Sequence, residues 1–238
     1  MQSEFDKYAY DYDEIHQDAI RASGYQIDYF YEYKVKEMHR VLSKCDIKTP
    51  LHGNPMKILD FGCGVGNLDP YIREYFPEAN IYGYDISEES VSIAREKHKK
   101  ESIIYSVYDN VTYSFPMDSM FDIVIASCVF HHIPPQEHIK ALSCIWSNMC
   151  PGGSLFIFEH NPINPATRAV FHKNILDERA ILVSSRNIKK KLEQCGFERA
   201  RINYTVFFPK ALSFFAPLER YISAIPFGAQ YYTVAVKP

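Results

Sequence analysis

The chain has a single tryptophan, no C-x-x-C pair, no long apolar run and no extended Lys/Arg-rich face. Each absence narrows the function. The six cysteines, at 45, 63, 128, 144, 150 and 195, show no zinc-ligand spacing. Cys63, Cys128 and Cys144 fall in apolar runs or tight turns, where a free thiol acts as a small hydrophobe. No apolar segment is long enough to span a bilayer. The opening MQSEFDKYAYDYDE has neither the basic start nor the apolar core of a signal peptide. A reducing, cytoplasmic setting is therefore expected. The formal net charge is −3, and the cluster Lys97–Lys100 reads as a solvated helix end. Nucleic acid is thus not an expected partner. No internal repeat or low-complexity tract appears.

At 238 residues the chain suits one α/β domain with an embellishment. Aromatics are plentiful, with 18 Tyr and 16 Phe crowding the two ends. Tyrosine brings apolar area and a hydrogen-bonding tip, which suits packed helices, a ligand cavity or a contact surface.

The most informative stretch is Lys57 to Leu68, KILDFGCGVGNL. A short apolar run ends at Asp60–Phe61 and reads as a buried strand. Gly62, Gly64 and Gly66 follow, and a helical pattern resumes near Asn67. Glycines there let the backbone turn sharply and approach a ligand closely. A strand, a glycine turn and a helix form the nucleotide-binding corner of a doubly wound sheet. In a dinucleotide fingerprint, G-x-G-x-x-G, the third glycine would stand at position 67, where this chain has Asn. Asp60 would repel a pyrophosphate but suits a cationic amino-acid head group. The run resembles motif I of the class I S-adenosylmethionine (SAM) methyltransferases.

From there the chain alternates. Strands are expected at Lys57–Asp60, Asn80–Tyr84, Ile103–Tyr108, Phe121–Ser127, Ser154–Glu159, Arg201–Phe208 and Gln230–Val236. Helices are expected at Leu68–Phe76, Ser87–Lys100, Pro134 to about Met149, and Ser185–Cys195, with Ser87 as an N-cap. Strands separated by helices imply a parallel sheet with right-handed crossovers. Upstream, Phe5, Tyr8, Tyr12, Ile15 and Ala19 share a helical face. A second helix from about Gln26 to Cys45 carries Ile27, Phe30, Tyr31, Lys34, Val35, Met38 and Leu42. Residues from Pro50 to Pro55 read as the loop into the first strand.

In an open α/β sheet, ligands bind beyond the carboxyl ends of the strands. Here the first three strands lead into Asp60, Asp85 and Asp109. Asp85, 25 residues after Asp60, can accept hydrogen bonds from both ribose hydroxyls, a role that would also serve NAD. The resemblance then widens: ILDFGCGVGNL, IYGYDIS, SVYDN, FDIVIASCVFHHIP and a PGG turn run in order from about 57 to 160. It implies a Rossmann-like methyltransferase fold: α/β, doubly wound, with a mostly parallel seven-stranded sheet whose last strand is antiparallel. It also implies S-adenosylmethionine as cofactor, with S-adenosylhomocysteine as product. By the same resemblance, Asp60, Gly62, Cys63 and Gly64 would line its methionine and ribose portion. Asp85 and Ile86 would hold ribose and adenine, and Tyr108, Asp109 and Asn110 would surround the adenine. Ser127, Cys128 and Val129 would pass beside the methyl group. Related enzymes fold an N-terminal segment over the cofactor as a lid, which would bring Tyr12 to the site. One domain over 1–238 is expected: a helical lid over 1–50, a SAM-binding core over 51–160, and a substrate side with a closing hairpin over 161–238.

Methyl transfer from a sulfonium needs mainly alignment. If the acceptor must lose a proton, His132 is the candidate base, while His131 reads as a packed or solvent-facing residue. No third ligand at metal spacing accompanies the pair, so no metal is expected. Glu159-His160-Asn161-Pro162 lies on the ligand face and reads equally as acceptor contacts or as a capped strand end. Arg168, His172, Lys173 and Arg179, beside the apolar stretch 211–227, suggest an apolar acceptor bearing an anionic group. A small molecule or a lipid-linked or glycosidic intermediate would fit, methylated at O or N. The stretch reads otherwise as packing on the sheet or as a homodimer interface. The rival functions are a SAM-binding partner protein without turnover and an NAD-dependent oxidoreductase.

Overall fold

The computed structural model describes residues 8–10, 12–44, 55–116 and 120–238. Short apolar runs bounded by turn residues make seven strands: β1 (Lys57–Phe61), β2 (Asn80–Asp85), β3 (Ile104–Val107), β4 (Phe121–Ser127), β5 (Met149–His160), β6 (Glu198–Thr205) and β7 (Gln230–Val236). They form one sheet in the order β3-β2-β1-β4-β5-β7-β6. β1 to β5 are parallel, and β7 runs antiparallel to β5 and to β6. The helices are α1 (Tyr12–Ile20), α2 (Ile27–Lys44), α3 (Asp69–Tyr75), α4 (Glu88–Lys97), α5 (His138–Ser147), α6 (Pro165–Phe171), α7 (Ser185–Gln194) and α8 (Glu219–Ile222).

Successive strand residues face opposite sides, and both sides of this sheet are covered. Leu59, Phe61, Val124 and Ile157 pack against Leu142 and Ile145 of α5 and Ile188 and Leu192 of α7. Ile58, Ile125 and Phe158 face Val35 and Met38 of α2 and Ile72 of α3. That double cover explains why β4 reads as an unbroken apolar run from Phe121 to Ala126, apart from Asp122. It also gives α2 a part in the core: its apolar stripe is a wall of the sheet, and α1 packs against both α2 and α6.

Several expected boundaries move. The prolines at 134 and 135 lie in turns, and α5 begins only at His138. Pro151-Gly152-Gly153 is incorporated into β5, with an irregular register against β4 between Phe121 and Ile123. β6 starts three residues earlier than the apolar pattern suggests and stops at Thr205. Phe207 and Phe208 are thereby released to line a cavity. Ser87 caps α4 as expected, its hydroxyl accepting from the Ser90 N–H at 3.1 Å. Phe5, Cys45 and the loop over 50–54 lie outside the described residues.

Candidate active site

The site is built on the turn after β1. The N–H groups of Gly62 and Cys63 both donate to the carbonyl of Tyr84, at 2.7 and 3.1 Å, tying the turn to the end of β2. Gly62 has φ +78°, and a Cβ there would lie 2.5 Å from Val129 Cγ2. Gly64, at φ +53°, would point its Cβ into open space. Its N–H donates to Asp85 Oδ2 at 2.8 Å, and Asp85 Oδ1 accepts from the Ser87 N–H at 2.9 Å. One carboxylate thus fixes both the glycine turn and the entry to α4.

A cavity of about 140 Å³ opens over this turn. Gly62, Gly64, Asp85, Ile86, Tyr108, Asn110, Ser127, Cys128, Val129 and His132 all line it. Asp60 and Cys63 do not: both are buried beneath the turn. Asp109 is also outside the lining, and its carboxylate accepts from the Val111 N–H at 2.8 Å and the Thr112 hydroxyl at 2.6 Å. Those bonds hold it below the usual carboxylate range and employ it in a local turn. Tyr12 opens α1, and its side chain lies outside the described part of the structure. His16, Ser90, Tyr113, Ile133, Pro134 and Leu176 complete the wall.

Beneath the turn, Asp60 and Asp69 form a buried acidic pair. Burial, then Asp69 and Asp85, push the Asp60 carboxyl well above its ordinary value. Burial raises Asp69 to about 7. Asp60 Oδ1 has no hydrogen-bond partner among the described residues. A cationic ligand above the turn would lower the cost of ionising this pair. The acidic floor, the open space above Gly64 and the backbone approach at Gly62 therefore fit a ligand carrying an ammonium and a sulfonium.

A second, larger cavity of about 340 Å³ adjoins the first. Its walls are mostly apolar, from Ile20, Phe30, Phe171 and Phe208 among others, and it shares His16, Ser127 and Cys128 with the smaller cavity. The shared end is polar. Lys34, 4% exposed, donates from Nζ to Ser127 Oγ at 2.7 Å and to Cys128 Sγ at 3.5 Å. Cys128 adopts φ +60°, a left-handed conformation rare outside glycine. Burial raises its pKa, but Lys34 and His160 outweigh burial and bring it down to about 7. Cys128 in turn raises His160 against the effect of burial.

Behind this junction lies an ion-pair network drawn from three segments. His131 Nδ1 donates to Glu159 Oε2 at 2.5 Å, and its Nε2 lies 3.3 Å from Asp177 Oδ1. Burial opposes a charged ring, yet the two carboxylates hold it protonated, with a pKa of about 10. Asp177 falls to about 2 because its bonds to His131 outweigh burial. The Phe130 N–H donates to Glu159 Oε1 at 2.7 Å. His132 Nε2 lies 3.5 Å from Asp177 Oδ1. Burial and the neighbouring His131 charge lower its pKa to about 3, so the ring is neutral at ordinary pH. His131, His132 and Asp177 present three potential ligand atoms within 4.8 Å of one another. The third comes from a helical turn far along the chain, which the sequence spacing does not reveal. His131 Nε2 and Asp177 Oδ1 face each other there as an ion pair.

A family profile described as a methyltransferase domain matches residues 58–153. Over this stretch the chain is similar to methyltransferase domains. The strand order and the antiparallel last strand are those of the class I SAM-dependent type, whose cofactor is S-adenosylmethionine. Over 103 residues the chain is 32% identical to trans-aconitate 2-methyltransferase of Rhodopseudomonas palustris, covering 43% of this chain and 38% of that one. It is 31% identical over 118 residues to demethylmenaquinone methyltransferase of Thermus thermophilus, covering 49% and 52%. The chain thus spans about half or less of the length of these curated relatives. Among solved structures, magnesium protoporphyrin IX methyltransferase from Synechocystis PCC 6803 with bound SAH superimposes with a TM-score of 0.62 at 21% identity, covering 98% of this chain and 96% of that one. A putative methyltransferase in complex with the Haloferax volcanii Trm112 activator gives 0.66 at 18% identity, covering 100% and 99%.

The matched stretch supplies the wall of the small cavity apart from His16 and Leu176, whereas the larger one is walled, apart from Ser127 and Cys128, by segments outside the matched range. Lys34 and His16 come from α2 and α1, His160 ends β5, and Asn174 and Asp177 follow it. Lys34 left one trace in the sequence, a charge at helical spacing from Phe30, Tyr31 and Met38 on an otherwise apolar face. No helix among the described residues is long and apolar enough to cross a membrane.

Proposed function

We propose that this chain transfers a methyl group from SAM, bound in the smaller cavity, to a small-molecule or lipid-linked acceptor in the larger one, at oxygen or nitrogen. The observation that carries the reading is the meeting of the two cavities at His16, Ser127 and Cys128, at the carboxyl end of β4. Bound there, the cofactor supplies an electrophilic methyl group on a sulfonium. Asp85 holds the ribose hydroxyls, Ile86 and Tyr108 flank the adenine, and Asn110 meets its edge, with Asp109 shaping the Asn110 turn. Gly62, Cys63 and Gly64 let the backbone approach the ligand, and Asp60 supplies negative charge from below. Ser127, Cys128 and Val129 border the methyl group, and Tyr12 belongs to the helix that closes the cavity.

Alignment of nucleophile, carbon and sulfur contributes most of the rate. The apolar wall holds the acceptor body and excludes water. Lys34 offers a positive charge to an anionic group at the junction. His132, neutral at ordinary pH and on the wall of the smaller cavity, accepts a hydrogen bond from a nucleophile that reaches across the junction; its lowered pKa makes it an orienting group rather than a strong proton acceptor.

Calorimetric titration with SAM, S-adenosylhomocysteine and NAD tests the cofactor. Binding of both adenosyl ligands but not NAD is expected, and binding of NAD alone overturns the reading. Turnover with any acceptor then separates an enzyme from a SAM-binding partner protein. His132→Ala is expected to lower turnover while leaving SAM affinity nearly intact. A variant with unaltered turnover would remove His132 from the mechanism.

A further inference from the structure

The stretch between β6 and β7 is unusual for a protein surface. Lys210–Leu218 forms short 3₁₀ turns in which no residue is buried. Phe214 is 69% exposed, Tyr221 72% and Phe227 66%, and Leu212, Phe215, Leu218 and Ile225 are exposed with them. Single exposed apolar residues are ordinary, whereas a run of this kind marks a contact surface. The backbone beneath is held firmly. Asn161 Nδ2 donates to the carbonyls of Pro226 and Gly228 at 3.1 and 2.7 Å, and Asn164 Nδ2 to that of Phe227 at 2.7 Å. Glu219 turns inward and accepts from the N–H groups of Val206 and Phe207 at 3.0 and 2.9 Å. The polar groups are thus satisfied on the inner side while the rings project outward.

Charge and continuity indicate what the rings meet. The chain carries a net charge of −3, but this face is basic. Across 161–173 and 207–228 the exposed charged residues are Arg168, Lys173, Lys210 and Arg220, and the one acid, Glu219, is buried. The face also continues into the larger cavity. Phe207, Phe208 and Pro209 line that cavity and lead directly into the apolar run, with the Phe208 and Phe215 rings 5.5 Å apart. Asn164, bonded to Phe227, also lines the cavity, beside the exposed Ile163.

The geometry points to residues 207–228 as an interfacial docking surface for an anionic lipid bilayer, with the mouth of the larger cavity turned toward the lipid. Aromatic side chains enter the headgroup boundary, and Arg168, Lys173, Lys210 and Arg220 meet anionic headgroups. An amphiphilic acceptor then passes from the bilayer along Phe208 into the cavity, polar end first, toward Lys34 and Cys128. This last step rests on the larger cavity being the acceptor site, as proposed above; the docking itself does not.

Flotation of the whole chain with vesicles of equal parts phosphatidylcholine and phosphatidylglycerol tests the docking. The wild type is expected to float, less so with phosphatidylcholine alone and less again at high salt. Phe214→Glu with Phe227→Glu is expected to weaken partitioning by at least roughly tenfold. Neither side chain lines a cavity, so SAM affinity measured by calorimetry stays unchanged and reports that the variant is folded. Absence of flotation by the wild type overturns the inference. So does a wild-type dimer in sedimentation that the double variant converts to monomer without any vesicle binding, which would make the face an interface between copies. Failure of the wild type to bind SAM would instead refute the functional reading and leave the flotation result standing.

Discussion

His131 is buried between two carboxylates, and the charge assigned to it can be tested through stability. Its pKa rises from 6.5 to about 10 on folding because Glu159 and Asp177 outweigh burial. Between those values the folded chain holds a proton that the unfolded chain has released. Stability from this ring is therefore fully present below pH 6.5 and is lost as pH rises toward 10. Integrated from pH 6 to pH 9, the loss is about 3 kcal/mol. Glu159→Gln keeps the shape of the side chain and an oxygen for the Phe130 N–H, but removes the charge nearest to the ring. Breaking a buried pair costs about 3–5 kcal/mol, so the variant should be clearly less stable than wild type at pH 6. At pH 9 most of that gap should have closed, because the wild-type ring has lost most of its advantage. Urea denaturation of both proteins at the two pH values measures the gap. Making the comparison in a Cys128→Ser background removes the thiol titration near pH 7, on which Glu159 also acts, and the titrations that Glu159 does not touch cancel. A gap that stays constant from pH 6 to pH 9 would mean that the folded His131 ring is neutral and would refute the network's charge assignment.

Three further outcomes are expected. Asp85→Ala should weaken SAM binding by at least roughly tenfold while the chain remains folded by circular dichroism; unchanged affinity would remove the carboxylate from the ribose. Gly62→Ala should lower stability by about 2–3 kcal/mol, because it adds a Cβ against Val129 at a left-handed φ. Val129→Ala in that background should recover part of the loss, as read from thermal midpoints. Alkylation of Cys128 by iodoacetamide, followed by peptide mass mapping, should rise with pH around a midpoint near 7. Lys34→Met should move that midpoint upward, and a midpoint that ignores Lys34 would show that the ammonium does not govern the thiol.

The core of the fold was legible because its signals are local. Glycines at 62, 64 and 66, a capping Ser87 and apolar runs bounded by turns each act within a few residues. The fate of the acids was less legible, since three carboxylates after three strands look alike in sequence. Asp85 reaches the cavity, Asp60 lies under the glycine turn, and Asp109 bonds to Val111 and Thr112. The last could have been read, because Asp two residues before a free N–H and three before Thr is an Asx-turn pattern. Asp177 could not. Its pairing with His131 depends on how the segment after β5 folds back over β4, and no spacing along the chain encodes that contact. Lys34 was hidden by its surroundings, since a lysine on an apolar helix face usually extends its amine to solvent.

The division between the two cavities follows from the same difference in range. The smaller one is made almost wholly of turns that follow β1 to β4, so any chain with these turns presents a similar surface to the cofactor. The larger one depends on α1 and α2, on the segment from His160 to Asp177, and on Phe207 and Phe208 just beyond β6. These parts lie outside the stretch matched by the methyltransferase profile. Likeness to trans-aconitate or demethylmenaquinone methyltransferases thus bears on how the methyl donor is held. The acceptor has to be inferred from this chain's own walls, which combine an apolar body site with Lys34, Cys128 and His160 at the reactive end. An acceptor with a hydrocarbon portion and a polar, anionic or nucleophilic head satisfies both ends at once. A uniformly polar metabolite would set its polar groups against the rings of Phe30, Phe171 and Phe208 and would gain nothing from apolar burial there.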